Sequence, residues 1–228
     1  VRRAPDARMG YPDEAGVPEL RATLAAYLGR VRGVRAAPER IVVTAGAWQA
    51  VALLCALLAA RGARRIAVEQ PGWRGWRHAA RAAGLEPVPV PVDGEGIDVD
   101  ALAALGAVAA VGVAPAHQYP TGAVLSPARR TALVAWARRT GALIVEDDYD
   151  AEFRYDRQPI GSLQGLAPEA VAFAGSASKL LAPAIRLGWL VLPPGLPAPT
   201  REQLRSAGAG PAPLEQLALA DLIERCEL

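Results

Sequence analysis

Lysine is almost missing from this sequence: of its 25 lysine and arginine side chains, only Lys179 is a lysine. A codon bias toward arginine and alanine explains such a composition, and it spares a lysine only where a primary amine is needed. Guanidinium cannot replace an amine in Schiff-base chemistry, because it stays protonated and is a poor nucleophile. Lys179 is therefore a candidate nucleophile, although a lone lysine without context is more often a surface side chain.

The sequence also has only two cysteines, a small net charge and no long apolar run. These features argue against a cysteine metal site, a polyanion-binding surface and a membrane span, respectively. Cys55 and Cys226 are too far apart in sequence for a metal-binding pair, and the apolar run 51–58 predicts that Cys55 lies in the core. A net charge of +2 argues against a polyanion-binding surface. No apolar run is long enough to span a bilayer and no signal peptide is visible, so we expect a cytoplasmic protein without a membrane partner.

The sequence does contain an alternation of strand-like and helix-like segments, which predicts an α/β domain. Helices are predicted over 18–31, 46–60, 73–83, 126–139 and 214–225, and strands over 41–44, 65–69, 87–92, 108–113, 142–146, 171–174 and 188–192. The stretch 193–213 is rich in proline, glycine and alanine, and it predicts a linker or a loosely packed crossing segment.

Four segments carry candidate chemistry, and we expect all of them at the strand ends where open α/β sheets bind ligands. The first is GSASK at 175–179, followed by Arg186. Lys179 has small and hydroxyl neighbours and can approach a cofactor closely, while Ser176, Ser178 and Arg186 offer donors for a phosphate dianion. The alternative is a Ser/Gly loop that carries a surface lysine.

The second segment is the acidic run EDDYD at 146–150. Carboxylates clustered at a strand end indicate either a Mg²⁺ site or a carboxylate aimed at a cationic partner. Beside the Lys179 segment we favour the second use, in which a carboxylate faces a pyridinium nitrogen and keeps the ring protonated as an electron sink.

The remaining segments give weaker signals. The turn TAGAWQ at 44–49 opens a helix whose free N–H groups and dipole would cradle an anion, although many helices begin in this way. His117, in AHQYPTG at 116–122, is one of two histidines, and a structural role is the commoner use of such a side chain. Trp73 is either a core side chain or a platform on which a flat ring stacks.

Together these segments resemble the large domain of the fold type I pyridoxal-phosphate enzymes, the aspartate aminotransferase superfamily. The specific stretches are EDDYDAEFRY at 146–155, HQYPTG at 117–122 and the segment 178–192. They are most similar to the aminotransferase-like domain of MocR-type transcriptional regulators of the GntR family. The resemblance covers nearly the whole chain, and it implies a three-layer α/β/α fold around a mostly parallel sheet.

The resemblance also implies a role for each candidate residue. Lys179 would form the internal aldimine with pyridoxal 5'-phosphate, Asp147 would pair with the pyridine nitrogen, and Tyr149 would hydrogen-bond the ring hydroxyl. The other cofactor-binding residues would be Ser176, Ser178, Arg186, Gly46 and Ala47 at the phosphate, Trp73 on the ring, Trp48 and His117 beside them, and Tyr11 reaching the phosphate of a neighbouring subunit. A homodimer is thereby implied, and no metal is.

Four positions depart from the usual pattern of these proteins. Trp48 stands where glutamine is usual, Trp73 stands where tyrosine is usual, and Ala177 replaces a larger, usually aromatic residue. Tyr119 lies where simple aminotransferases place an asparagine, and MocR-type proteins have an aromatic residue there, so this departure favours the MocR type.

The resemblance further implies how the chain is organised. Residues 1–195 are expected to form a pyridoxal-phosphate-binding large domain with an N-terminal arm over 1–17. Residues 196–228 are expected to form a linker and helix that lead to a C-terminal small domain. Because that domain and an N-terminal winged helix-turn-helix domain are not in the sequence, we expect a fragment whose DNA contact belongs to the missing N-terminal part.

The expected function is binding of pyridoxal phosphate and of an amino acid or amine, with aldimine formation and transamination as its chemistry. In a MocR-type regulator this domain would sense the effector and change how an attached DNA-binding domain sits. Two alternatives stay open: a stand-alone class I/II aminotransferase, and a catalytically inactive scaffold, which Trp48 and the truncated end motivate.

Overall fold

A single eight-stranded sheet with helices on both faces organises the chain in a computed structural model. The structure describes residues 10, 13–150, 161–208 and 210–225. The strands are β1 (Ile41–Thr44), β2 (Arg65–Gln70), β3 (Glu86–Asp93), β4 (Gly96–Ile97), β5 (Ala110–Val113), β6 (Leu143–Asp148), β7 (Val171–Ser176) and β8 (Gly188–Val191). The helices are α1 (Pro18–Arg32), α2 (Ala47–Ala60), α3 (Arg74–Ala82), α4 (Val99–Ala104), α5 (Pro127–Thr140), α6 (Leu163–Leu166), α7 (Ala177–Leu180), α8 (Pro197–Ala207) and α9 (Pro213–Glu224).

The strand order is β1-β8-β7-β6-β5-β2-β3-β4, and the centre of the sheet is parallel. β3, β2, β5, β6 and β7 pair in parallel, whereas β8 runs antiparallel to both β7 and β1. β1 therefore runs in the same direction as β7. The carboxyl ends of β1, β2, β5, β6 and β7 thus meet at one edge of the sheet, together with the amino end of β8.

Successive side chains of each strand point to opposite faces of the sheet, and each face contributes to an apolar core. On one face, Val145 and its neighbours pack against α2, α3 and α8, through Leu54, Trp76 and Leu204. On the other face, Ile144 and its neighbours pack against α4, α5 and α6, and the same face continues under α1 and α9. Helices on both faces of a mostly parallel sheet confirm the predicted three-layer α/β/α fold.

The ends of the predicted helices follow from local chemistry. Pro18 and Pro127 occupy first-turn positions, where the missing N–H costs nothing. Ser126 caps α5, because its Oγ accepts a hydrogen bond from the N–H of Arg129 at 3.4 Å. The predicted strands and helices are confirmed within a few residues, and Cys55 is a buried free cysteine whose pKa burial raises to about 12.

The prediction of a loosely packed segment over 193–213 is wrong for most of its length. Pro197 starts α8 at its first turn, and Gly208, with φ +57°, ends it. Thr200 and Leu204 are buried, and Leu204 joins the core that contains α2. The proline and glycine content marks the two ends of a helix here rather than a linker, while the domain boundary at 195 stays a prediction.

Four short elements, α4, α6, α7 and β4, were not predicted, because each has too few residues to show a period. Within the described ranges, no helix combines the length and the apolar character needed to cross a membrane.

Candidate functional site

The register of the sheet places the candidate segments side by side. Thr44 at the end of β1 and Ser176 at the end of β7 both pair with Gly188, which starts β8 between them. Asp148 at the end of β6 pairs with Gly175. The segments after β1, β6 and β7 and the segment before β8 therefore meet at the carboxyl edge, where ligands bind in this class of sheet.

A cavity of about 470 Å³ opens at this edge. Nine of the predicted site residues line it: Ala47, Trp48, Trp73, Asp147, Tyr149, Ser176, Ser178, Lys179 and Arg186. The structure thus brings together residues from four separate segments of the sequence. Tyr11, the predicted contact with a neighbouring subunit, lies outside the described residues.

Lys179 reaches the cavity from the single turn of α7. Ser176 ends β7 and caps that turn, because its Oγ accepts a hydrogen bond from the N–H of Ser178 at 3.1 Å. The turn directs both serines and the lysine to the cavity wall. Lys179, the one lysine of the sequence, therefore lies on a short helix that Ser176 caps, and it lines the cavity at the carboxyl edge of the sheet.

The three consecutive carboxylates of β6 separate onto two faces, because successive side chains of a strand alternate. Glu146 accepts hydrogen bonds from the N–H groups of Leu163 at 3.0 Å and Gln164 at 2.9 Å. Asp148 forms a buried ion pair with Arg32, whose Nε donates at 2.7 Å. These two carboxylates are used inside the fold, which argues against the alternative of a magnesium site in the acidic run.

Asp147 points the other way, into the cavity. It is 9% exposed, and among the described residues none donates a hydrogen bond to its carboxylate. Burial, reinforced by the charges of Asp148 and Asp150, raises the pKa of Asp147 to about 7. A buried carboxylate without a partner gains most from a cationic or hydrogen-bond-donating ligand.

A second part of the cavity suits an anion. Gly46 precedes α2 with φ +87°, a conformation that favours glycine, and no side chain caps the helix. The first N–H groups of this 14-residue helix are thus available to a ligand. Arg186 lies beside them: a Cβ built on Gly46 would be 3.7 Å from its Cζ, and its Nη2 donates to the carbonyl of Ala45 at 3.3 Å.

An aromatic wall closes another side of the cavity. Trp73 precedes α3, and its indole lies over Gly75, where an added Cβ would overlap the ring. Trp48 packs edge-on against Trp73, with ring centroids 4.8 Å apart and planes inclined by 69°. Gly75 therefore makes room for the wide, flat surface that Trp73 presents.

His117 is not among the residues that line the cavity, and it contacts Tyr149, which is. Its Nδ1 is 2.6 Å from Oδ2 of Asp150 and 3.4 Å from the hydroxyl oxygen of Tyr149. The rings of His117 and Tyr149 are stacked with centroids 6.1 Å apart. The histidine thus contacts the cavity through Tyr149, whose pKa is raised by burial and by the nearby carboxylates Asp150, Asp147 and Glu69.

Tyr119 also lines the cavity, and so do several residues that the sequence patterns did not single out, among them Glu69, Trp76 and Pro183. Glu69 is the most informative of them, because burial raises its pKa to about 7 while hydrogen bonds from Gln118 and Ala114 oppose that shift. Its position at the end of β2 was the available signal, since the other candidate segments also follow strand ends.

The profile of the family described as aminotransferase class I and II matches residues 2–223 of this sequence. The chain belongs to that family. Among curated members, it is 40% identical over 183 residues to the pyridoxine biosynthesis transcriptional regulator PdxR of Corynebacterium glutamicum, covering 80% of this chain and 40% of PdxR. It is 34% identical to MocR of Rhizobium meliloti over 94% of this chain and 43% of MocR. The chain is thus an aminotransferase-like domain homologous to MocR-type regulators.

Enzymes of the family are similar as well. The 2-aminoadipate transaminase of Thermus thermophilus is 30% identical over 85% of this chain and 49% of the enzyme, so the chain spans less than half the length of these relatives. An archaeal alanine:glyoxylate aminotransferase superimposes with a TM-score of 0.89 at 28% identity, over 98% of this chain and 57% of that enzyme. LysN of Thermus thermophilus, solved with N-(5'-phosphopyridoxyl)-L-leucine, superimposes with a TM-score of 0.85 at 27% identity, over 98% and 57%.

Proposed function

We propose that the cavity binds pyridoxal 5'-phosphate and presents it to an amino acid or amine. The observation that carries the proposal is the buried carboxylate of Asp147, which accepts no hydrogen bond from the described residues and lies in the same cavity as Lys179. A structural ion-pair network would leave neither group available. A cofactor with an aldehyde and a basic ring nitrogen would use both.

The remaining walls fit the other parts of such a cofactor. The uncapped start of α2, Ser176, Ser178 and Arg186 together offer backbone and side-chain donors for a phosphate dianion. The indole of Trp73 offers a face on which a flat ring stacks. The volume of about 470 Å³ lies within the range of small-molecule sites.

Each residue then has a defined task. When bound, pyridoxal phosphate supplies an electron sink, which a protonated pyridine nitrogen strengthens. Asp147 would hold the proton at that nitrogen, and Tyr149 would donate a hydrogen bond to the ring hydroxyl. Lys179 would hold the cofactor covalently, and its released amine would move the proton at the ligand's Cα.

We infer that this chemistry serves effector sensing in a MocR-type regulator, which the similarity to PdxR and MocR supports. In that arrangement a homodimer, with Tyr11 completing the phosphate site of its neighbour, would transmit ligand binding to an N-terminal DNA-binding domain. The second candidate is a transaminase, which the similarity to the 2-aminoadipate transaminase supports.

Visible spectroscopy tests the proposal and separates its two forms. We expect pyridoxal phosphate to produce a band at roughly 410–430 nm in the wild type. A panel of amino acids and amines is then added. Loss of the band with release of a keto acid would indicate transamination, and a shift without keto acid would indicate sensing. No band at a saturating concentration of pyridoxal phosphate would contradict the proposal.

A further inference from the structure

Gln118 is a buried glutamine whose amide is fully used in hydrogen bonds between two loops. Its side-chain Nε2 donates to Oε2 of Glu69 at 3.1 Å and to the carbonyl of Pro71 at 2.8 Å. Its Oε1 accepts from the N–H of Thr121 at 3.2 Å and from the Thr121 hydroxyl at 2.7 Å. Two donors and two acceptor positions are the whole capacity of an amide, and the residue is 1% exposed.

The partners of Gln118 lie on two neighbouring segments that both contribute to the lining of the cavity. Glu69 and Pro71 belong to the segment that ends β2 and leads to Trp73. Thr121 belongs to the segment that follows β5 and carries Tyr119, which also lines the cavity. The amide therefore joins the segment that leads to Trp73 to the segment that carries Tyr119.

Glu69 adds a second connection between the same two segments. Its Oε1 accepts a hydrogen bond from the N–H of Ala114, just after β5, at 3.3 Å. Glu69 and Ala114 both line the cavity. The carboxyl and the amide thus form one continuous set of hydrogen bonds from Ala114 through Glu69 and Gln118 to Thr121.

We propose that Gln118, together with Glu69, is a positioning residue that fixes the distance between the Trp73 segment and the Tyr119 segment. This inference rests on the proposed function, because the distance matters for a flat ring held against Trp73. If the two segments are already fixed, they lose little conformational entropy when a ligand binds. If they are mobile, ordering them on binding lowers the affinity. The side-chain hydrogen bonds of Gln118 within the described ranges go to Glu69, Pro71 and Thr121, and none goes to Lys179 or Arg186, so Gln118 acts through the loops.

A matched control exists elsewhere in the chain. Gln164 is also fully buried, and its amide exchanges two hydrogen bonds with the backbone of Arg35, at 2.7 and 2.8 Å, away from the cavity. Gln118→Leu and Gln164→Leu both remove a buried amide and keep its approximate volume. Both should lower thermal stability, so stability alone does not distinguish positioning from ordinary packing.

The deciding measurements are hydrogen exchange of segments 70–76 and 117–123 and titration with pyridoxal phosphate. In Gln118→Leu we expect faster exchange in both segments and a rise in the dissociation constant of roughly tenfold or more. In Gln164→Leu we expect neither change. Faster exchange in only one segment, or an unchanged dissociation constant, would overturn the proposal.

The experiment also covers two other cases: a variant that does not fold, and a wild type that does not bind the cofactor. If Gln118→Leu does not fold, Gln118→Asn takes its place, because the shorter amide cannot reach both segments and should give the same two changes to a smaller extent. If the wild type binds no pyridoxal phosphate, the proposed function fails. Hydrogen exchange then decides by itself whether Gln118 couples the two segments.

Discussion

Neighbouring carboxylates on β6 have opposite uses, although they have the same chemistry. Glu146 and Asp148 face the packed side of the sheet, where backbone N–H groups and Arg32 satisfy them. Asp147 faces the cavity, and none of the described residues donates a hydrogen bond to it. Neighbouring residues of one strand thus differ in role: Glu146 and Asp148 form contacts within the fold, whereas Asp147 lines the cavity and is available to a ligand.

The largest effect is expected on the packed side. Arg32→Ala leaves the buried carboxylate of Asp148 without its ion-pair partner, so we expect the free energy of unfolding to fall by about 3–5 kcal/mol. Chemical denaturation measures this change. Arg138→Ala, which removes an exposed pair with Glu169, is the control and should cost less than about 1 kcal/mol. Equal effects of the two variants would contradict the account.

For Asp147, which faces the cavity, we expect the opposite: its replacement should raise the free energy of unfolding. Asp147→Asn removes a buried charge that has no hydrogen-bond donor among residues 13–150 and 161–208, so we expect the empty protein at pH 8 to become more stable by about 1–3 kcal/mol. The same variant should bind pyridoxal phosphate more weakly, because the pyridine nitrogen loses its carboxylate. A destabilised variant with unchanged affinity would show that Asp147 is an ordinary structural residue.

The pH dependence of the free energy of unfolding is a further test of how Asp147 differs from its neighbours. The pKa of Asp147 in the fold, about 7, lies above its value of about 4 in an unfolded chain, so the folded state binds more protons between these values. Stability from this group is complete below about pH 4 and is lost as the pH rises through about 7, at up to about 1.4 kcal/mol per pH unit.

Denaturation of the empty protein at several values between pH 5 and 8 checks this expectation. The free energy of unfolding should fall with pH, and less steeply in Asp147→Asn. Glu69 and Glu146, whose pKa values burial also raises to about 7, add to the slope in both proteins. Only the difference between the two slopes reports on Asp147, and equal slopes would speak against its raised pKa.

The smallest effect concerns the aromatic wall. Trp48 is 46% exposed and touches Trp73 only through an edge contact, so Trp48→Gln should cost about 0.5–1 kcal/mol of stability. Its affinity for pyridoxal phosphate should change little, because the face of Trp73 is kept. Trp73→Gln is the comparison and should weaken binding strongly. Binding titrations that rank the two variants in the reverse order would assign the stacking surface to Trp48.

Much of the fold was predictable, because its signals are local. Pro18, Pro127 and the Ser126 cap set helix starts, and runs of β-branched residues set the buried strands. The segment 193–213 was misjudged because Pro197 and Gly208 serve equally well as the ends of a helix and as features of a linker. Only the packing of Leu204 against α2 decides between them.

The site was predictable in part. Lys179 was found as the only lysine, and the acidic run 146–150 and the serines beside Lys179 were found because we expected them at strand ends. The roles of Asp147 and Tyr149 came from the family resemblance, and the cavity brings all of these residues together. Glu69 and Gln118 were missed because their importance depends on hydrogen bonds between segments about 50 residues apart. Sequence spacing does not encode such pairings, and neither does it show that His117 stacks on Tyr149.

The most direct test is to trap the cofactor. Wild-type protein is incubated with pyridoxal phosphate, reduced with borohydride and digested, and the labelled peptide is identified by mass spectrometry. We expect a single labelled side chain, Lys179, and no label in Lys179→Arg, in which a guanidinium replaces the amine. A visible band and a reducible adduct that persist in Lys179→Arg, or no adduct in the wild type, would contradict the central claim.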